Sequence, residues 1–508
     1  MVLNFKKTVN VLACAAVSAL LTGCGYYSDL SRVEDVSRER VKRITDILAE
    51  TVNRENTRYG MTEVIFYAFA NNAELTLLQS QLDTNASRRL TLLLSDLPTV
   101  DGTWGSTMRS RPSPREDEHK HTQKTNVAIK IDAARLFLNQ AEKLRTEADR
   151  KVLNLRLRNR FNNLAMEAMA NYAFIVNAQQ IKRNVRQQLR ALQDAKKKSA
   201  LLADALLQDP LISLSYRNGI QTLADSLRKL EAQVRQAELA LFSSLSYQFG
   251  GRLDVRDVNS SAFIRAVGGL ERDDIIIHAL SYRSDLKVGD YNVYKTELDL
   301  ESAALNFLPA ISLDSVLNVD SSRVPVDRRF LTAGLNISLP LLDLLTQPYV
   351  MERAEQQKLQ AQLQAIARNL AVVAEIDLVQ DRLREAVADL ISANAMLKTR
   401  NEILSVRAGR AVQSEQDELD MIRVRAEAVE AGIRTLNAKT ILFRVALQVY
   451  VAAGYDLFPD TFLNISPFDI AKSKDALLPS LEGHLSQIMA GALIAAPAPS
   501  ETAQVGEQ

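Results

Sequence analysis

Breaker-free length is the feature that most constrains this chain. Between Pro114 and Pro210 there is neither Gly nor Pro, and there is none from Tyr349 to Ala408. With no residue to fix φ, remove a donor or favour a turn, such stretches run on as helix. Helix of 60 residues, the span from Tyr349 to Ala408, reaches about 90 Å, well beyond what a compact domain needs. The apolar positions of the second stretch are Leu359, Leu363, Ile366, Leu370 and Val373, then Leu383, Val387 and Leu390. They advance in steps of four and three, which marks a coiled-coil-like seam. Leu157, Phe161, Leu164, Ala168, Tyr172 and Ile175 repeat those steps in the first stretch. On these stretches alone, a spectrin-like stack of helices is the competing reading.

Punctuation around the two stretches recurs. The segment from Ala68 to Leu75 matches that from Ala279 to Leu286, and Leu97-Pro98 matches Leu308-Pro309, both 211 residues apart. Phe249-Gly250 and Ala453-Gly454 each close a long helical stretch. The chain therefore reads as two structural repeats, residues 24–250 and 251–455. The first holds a strand pair over about 99–132 and a helical hairpin over about 133–249. The second holds a strand pair over about 310–340 and a hairpin over about 346–453, with Pro348 suited to the first helical position. Residues 456–508 form a closing segment, with a tail from Ala495 too rich in Ala, Pro, Ser and Gln to pack.

The strand pairs argue against a purely helical stack. Ile311, Leu313, Ser315, Leu317 and Val319 alternate with Ser312, Asp314, Val316, Asn318 and Asp320. Ala333, Leu335, Ile337 and Leu339 alternate with Gly334, Asn336 and Ser338, and Val127, Ile129 and Ile131 with Ala128, Lys130 and Asp132. Such runs have one apolar and one polar face, at roughly the length a tilted membrane strand needs. The partner run from Val100 to Met108 is poorer and carries Gly102 and Gly105; its Trp104 suits either a membrane interface or an ordinary single exposed or core site. Four strands cannot close on themselves, and unpaired edges in lipid cost several kcal/mol per group. If the strands span, copies must join, and three copies would give twelve strands.

Composition narrows the function. Lys and Arg total 62 against 61 Asp and Glu, leaving no basic excess for nucleic acid. Two Cys and four His cannot build a disulfide framework and make a metal centre implausible; His119 and His121 in a charged loop are too few. No phosphate-binding Gly-rich loop or nucleophile elbow is present, so no enzyme and no cofactor is expected. At the N-terminus, Lys6 and Lys7 precede an apolar stretch from Val11 to Leu21, then Thr22-Gly23-Cys24. This reads as a secretory signal over residues 1–23 that ends in a bacterial lipobox, with Cys24 as the lipid site; an ordinary signal that contains a Cys is the alternative. Gly25 is not the Asp of inner-membrane retention, so the expected address is the outer membrane.

Taken together, Leu21-Thr-Gly-Cys24, the paired segments ending in Glu74-Leu75 and Asp285-Leu286, the Leu-Pro pairs, Ile337-Ser-Leu-Pro-Leu-Leu-Asp343 and Arg407-Ala-Gly409-Arg-Ala-Val-Gln-Ser414 resemble the TolC family of outer-membrane efflux proteins, in its lipid-anchored branch. The resemblance implies a mainly α fold with a membrane β-barrel. A long α-helical coiled-coil barrel would join four β-strands per protomer, closed as a twelve-stranded barrel in a trimer. It implies an exit duct that receives substrates from an inner-membrane transporter, proton-driven or ATP-driven, through a periplasmic adaptor. Gly409, Arg410, Ala411 and Ser414 fall at the periplasmic tip that meets the adaptor, where a left-handed Gly409 would ease the helix reversal. Glu415, Asp417 and Glu418 are candidate gate acids, with Asp204 and Asp209 weaker candidates near the first tip. The same acids also suit the start of a helix, where they complement its dipole. Lys130, Asp132, Asn318 and Asn336 are expected to face the barrel lumen. A structural periplasmic coiled-coil lipoprotein without a channel is the alternative function.

Overall fold

The computed structural model describes residues 38–39, 41–42, 58–108, 121–204, 210–244, 252–253, 260–320, 329–338, 341–409 and 415–492. The chain divides into two units. The smaller, 1–59 with 246–253, holds a two-residue parallel pairing of Arg58 and Tyr59 with Arg252 and Leu253. The larger, 60–245 with 254–508, carries everything that follows.

Its elements come in two rounds. Helices α1 (Met61–Asn71) and α2 (Ala73–Leu94) lead to strands β1 (Thr99–Met108) and β2 (His121–Asp132), then to α3 (Ala133–Asp204) and α4 (Pro210–Ser244). After α5 (Ser261–Gly268) the round repeats as α6 (Arg272–Tyr282), α7 (Ser284–Leu305), β3 (Ala310–Asp320), β4 (Arg329–Ser338), α8 (Leu341–Ala408) and α9 (Glu415–Ala452). A 3-10 turn at Asp460–Phe462 and α10 (Lys474–Met489) close the chain. A shift of 211 residues carries α1 onto α6, α2 onto α7 and the start of β1 onto that of β3; a shift of 208 carries the starts of β2 and α3 onto those of β4 and α8.

Local chemistry fixes the junctions. Asn72 Oδ1 accepts from the N–H groups of Glu74 and Leu75 at 3.0 and 3.1 Å, capping α2 and separating it from α1. Below β1, Asp96 accepts from Asn139 at 3.0 Å and from Lys143 of α3. Those bonds, Lys143 first, hold its carboxyl below the usual range. Pro348 does not open the long helix of the second round. It lies inside α8, which starts at Leu341, so the helix continues through it although its backbone bond to the preceding turn is lost.

Packing follows the apolar stripes unevenly. Leu157, Phe161, Leu164, Ala168, Tyr172 and Ile175 of α3 are all buried, and Phe161 meets Phe69 at 4.8 Å and Phe458 at 5.0 Å between ring centres. Farther along, Val185 and Leu192 of α3, Leu223, Leu227 and Leu230 of α4 and Leu436 of α9 share one cluster. On α8 the large buried residues are Val372, Ile376, Val379 and Leu383, joined by Ala354, Ala386 and Ala393. The upper part of its stripe, Leu359 to Leu370, is instead exposed, so within the described residues that length is no closed seam. Helix α7 lies between α3 and α8 and packs on both, whereas α2 packs along α3.

The four strands form one antiparallel sheet in the order β1-β2-β3-β4. Thr99 stands opposite Lys130, Lys130 opposite Asp314, and Ala310 opposite Ser338. Alternation places Val100, Trp104, Val127, Ile129, Leu313, Leu335 and their like on one face, all exposed. No described helix is long and apolar enough to cross a membrane, a criterion that does not bear on strands.

Candidate functional site

Three regions of the larger unit bring chemistry together: the polar face of the sheet, the far ends of the helical hairpins, and a charged hub where α9 ends. On the sheet, the side chains opposite the apolar face are mostly polar, with Val316 and Phe330 among them. Asn318 Nδ2 donates to Thr332 Oγ1 at 3.2 Å, and Asn336 Nδ2 donates to the Asp314 carboxylate. Lys130 is exposed and sits opposite both Thr99 and Asp314 in register. Asp132 ends β2 opposite Ser312. The expected residues Lys130, Asp132, Asn318 and Asn336 thus occupy even positions of β2, β3 and β4. Asp314 joins them, and its place in the alternation was the signal that could have named it.

At the hairpin ends, α3 stops at Asp204 and α4 starts at Pro210; the connection between them, which includes Asp209, lies outside the described residues. So do Arg410, Ala411 and Ser414 between α8 and α9, and Cys24 near the N-terminus. Glu415 opens α9, Asp417 follows half-buried, and Glu418 is exposed. Glu418 is bound: both its carboxylate oxygens accept from Lys198 Nζ of α3, at 2.9 and 3.0 Å. Between the arms of the second hairpin, Arg407 lies 3.7 Å from Asp420, and Arg400 donates to Glu427 at 2.6 Å. One set of ion pairs therefore ties α8 to α9, and Lys198–Glu418 ties the second hairpin to the first.

Gly409 behaves differently from expectation. It is a turn residue whose N–H bonds Ser405 O at 3.2 Å, but it has no positive φ, and an added Cβ would meet only carbonyl oxygens at an ordinary 3.7 Å. The reversal here is made without a left-handed glycine. Gly454, at the other end of α9, does adopt the conformation, with φ of 91°. A Cβ there would lie 3.3 Å from the backbone nitrogen of Arg283, because the α6–α7 junction packs against the helix end.

That junction is the hub. Arg283 donates to both oxygens of Asp285 at 3.0 Å, pairs with Glu375 of α8 at 3.0 Å, and reaches Ala452 O of α9 at 3.2 Å. Burial works against its charge, but the two carboxylates prevail and raise its pKa. Alongside, Asp456 accepts from Asn162 at 2.6 Å and from Arg158, both on α3, while Asn162 Oδ1 accepts from Leu457 N–H at 2.8 Å. These bonds join residues nearly 300 positions apart. No local pattern in the sequence could have paired them. Among the described residues no group of three or more His, Cys, Asp or Glu could hold a metal ion.

The sequence itself matches no protein-family model and no curated protein. Solved structures do match in fold. The chain is similar to the Campylobacter jejuni CmeC outer membrane channel, with TM-score 0.60 and 15% identity over 80% of this chain and 88% of that one. It is similar to the open state of the Neisseria gonorrhoeae MtrE outer membrane channel, at 0.55 and 13% over 78% and 89%. The Vibrio cholerae outer membrane protein VceC aligns at 0.54 and 12%, over 78% and 96%. A mainly helical chain with one four-stranded antiparallel sheet has here the fold of outer-membrane channels.

Proposed function

We propose that this protein is a homotrimeric outer-membrane duct, the exit of a tripartite efflux or type I secretion system, and not an enzyme. The observation that carries the reading is the sheet. One face is a largely apolar exposed surface, the other is largely polar, and among the described residues both outer strands have an open edge. Lipid is the medium in which an apolar face of this size is favourable, and closure with further copies is what satisfies the edges. The TolC-family resemblance gives three copies, hence twelve strands. The fold shared with outer-membrane channels supports the same reading.

In this duct, Lys130, Asp132, Asn318 and Asn336 line the barrel lumen. Cys24 carries the lipid that anchors the chain to the outer membrane, and the helices extend into the periplasm. The tip residues Gly409, Arg410, Ala411 and Ser414 meet the adaptor, which brings substrates from the inner-membrane transporter. The acids Glu415, Asp417, Glu418, Asp204 and Asp209 are the gate candidates, because rings of carboxylates narrow a path and favour cations. Opening parts the hairpins, and the Lys198–Glu418 pair is the tie that must yield. Purified protein in detergent should run as a heat-modifiable trimer and conduct in planar bilayers. Replacing Glu415 and Asp417 by Gln and Asn should raise conductance and weaken cation preference. A water-soluble monomer after delipidation, with no conductance, would turn the reading into that of a structural coiled-coil lipoprotein.

A further inference from the structure

The internal repeat carries one more step, which rests on the trimer reading above. The two shifts that relate the halves also relate their strand registers. Moving β1 by 211 and β2 by 208 converts the pair Thr99–Lys130 into Ala310–Ser338, the register seen between β3 and β4. The repeat map therefore reproduces a pairing it was not built from. A third pairing, β2 with β3, sets Lys130 opposite Asp314, Ile129 opposite Ser315 and Ala128 opposite Val316. Its image under the same shifts joins β4 to β1, strands that do not pair within one chain.

We infer that copies join head to tail, β4 of one pairing antiparallel with β1 of the next, with Ser338 opposite Thr103, Ile337 opposite Trp104 and Asn336 opposite Gly105. The side-chain pattern, which played no part in the mapping, agrees. Ile337 and Trp104 both lie on the apolar face; Ser338, Thr103, Asn336 and Gly105 all lie on the polar one. A slip of one residue would turn one strand's apolar side chains onto the other face. The helices below obey the same map. Helix α7 lies against both α3 and α8, tied to α3 by Arg145–Asp299 at 2.5 Å and Lys295–Asp149 at 3.0 Å, and to α8 by Lys358–Glu297 at 3.1 Å. Its counterpart α2 is tied to α3 by Arg88–Glu142 and by Arg89–Glu147 at 3.5 Å. The image of the α3–α7 contact sets α8 of one copy against α2 of the next, and Leu77 on α2 and Leu363 on α8 are exposed there. Each contact is heterologous, so it must close into a ring to leave no edge.

Disulfide trapping tests the register in the full-length, membrane-inserted protein. Thr103→Cys with Ser338→Cys should give covalent dimers and trimers on oxidation, and neither single variant should. Thr103→Cys with Asn336→Cys, two residues out of register, should cross-link at least about tenfold more slowly, because Cα separation rises from about 5 to about 7–8 Å. Heat-modifiability before oxidation reports whether each variant assembles. Assembled trimers that cross-link only through the out-of-register pair, or through neither, would overturn this seam and leave the duct standing. Failure of the unmodified protein to form oligomers would overturn both.

Discussion

Helices α3 and α8 start from the same sequence signal and meet different fates. Each carries apolar residues in steps of four and three. On α3 the whole run from Leu157 to Ile175 is buried, beneath α1, α2, α7 and the segment that ends at Phe462. On α8 the counterparts of Arg158 and Asn162 under the 208-residue shift are Ile366 and Leu370, which are 56% and 66% exposed. Arg158 and Asn162 bind Asp456, so in the first round that side of the helix is polar and covered. In the second it is apolar and open. Helix periodicity therefore says which residues favour burial. It does not say whether the cover lies in the same chain.

Removing a ring from the covered helix should have the largest effect. Phe161→Ala deletes a fully buried aromatic that touches Phe69, Phe458 and Phe462. It should cost about 3–5 kcal/mol and lower the melting temperature followed by circular dichroism. The same logic on the open helix predicts a different readout. Leu363→Glu at an exposed position should leave helicity and single-chain stability within about 0.5 kcal/mol, yet shift the proposed trimer toward monomers in native gels. Each copy would lose about 1.5–3 kcal/mol of leucine burial at the contact and place a charge there. A Leu363→Glu protein that unfolds as Phe161→Ala does would show that α8 is covered within its own chain.

Much of this fold was legible in the sequence, and the parts that were not have a common cause. The lengths of α3 and α8 follow from missing Gly and Pro, and strands β2, β3 and β4 follow from alternation, which are local signals. The repeat could be found because Leu97-Pro98 and Leu308-Pro309 mark the same strand entry twice. Strand β1 was faint, since Gly102 and Gly105 remove two side chains from its pattern. Illegible were the Arg283 and Asp456 hubs, built from partners far apart in the chain, and the backbone conformation of Gly409. A glycine at the expected helix reversal suggested a left-handed turn, but nothing in a single glycine of a sequence fixes the sign of φ. Cys24 and three of the four tip residues, Arg410, Ala411 and Ser414, lie outside the described residues, and their roles rest on resemblance.

Gly454 and Gly409 sharpen the comparison at the two ends of the second hairpin. Gly454→Ala must hold a Cβ at φ of 91°, 3.3 Å from the Arg283 nitrogen. A cost of about 1–2 kcal/mol is expected, read as a lower melting temperature. Gly409→Ala meets neither obstacle and should move stability by less than about 0.5 kcal/mol. Equal losses at the two sites would mean that the tip turn needs its glycine after all.

A small stability effect and a large functional one are expected together at Lys198. Its pair with Glu418 is about half exposed on both sides, so removing it should cost only about 0.2–1 kcal/mol, and less in high salt. The pair nevertheless bridges α3 to α9, the covered round to the open one, at the end of the molecule where the duct would close. Arg407–Asp420 and Arg400–Glu427 remain within the second hairpin and do not replace it. Lys198→Gln should therefore leave the melting curve nearly unchanged while single-channel conductance rises. Lys198→Arg keeps the charge and should stay close to the parent. If Lys198→Gln conducts like the parent in the same bilayers, the tie between the hairpins is a surface ion pair without a role in opening.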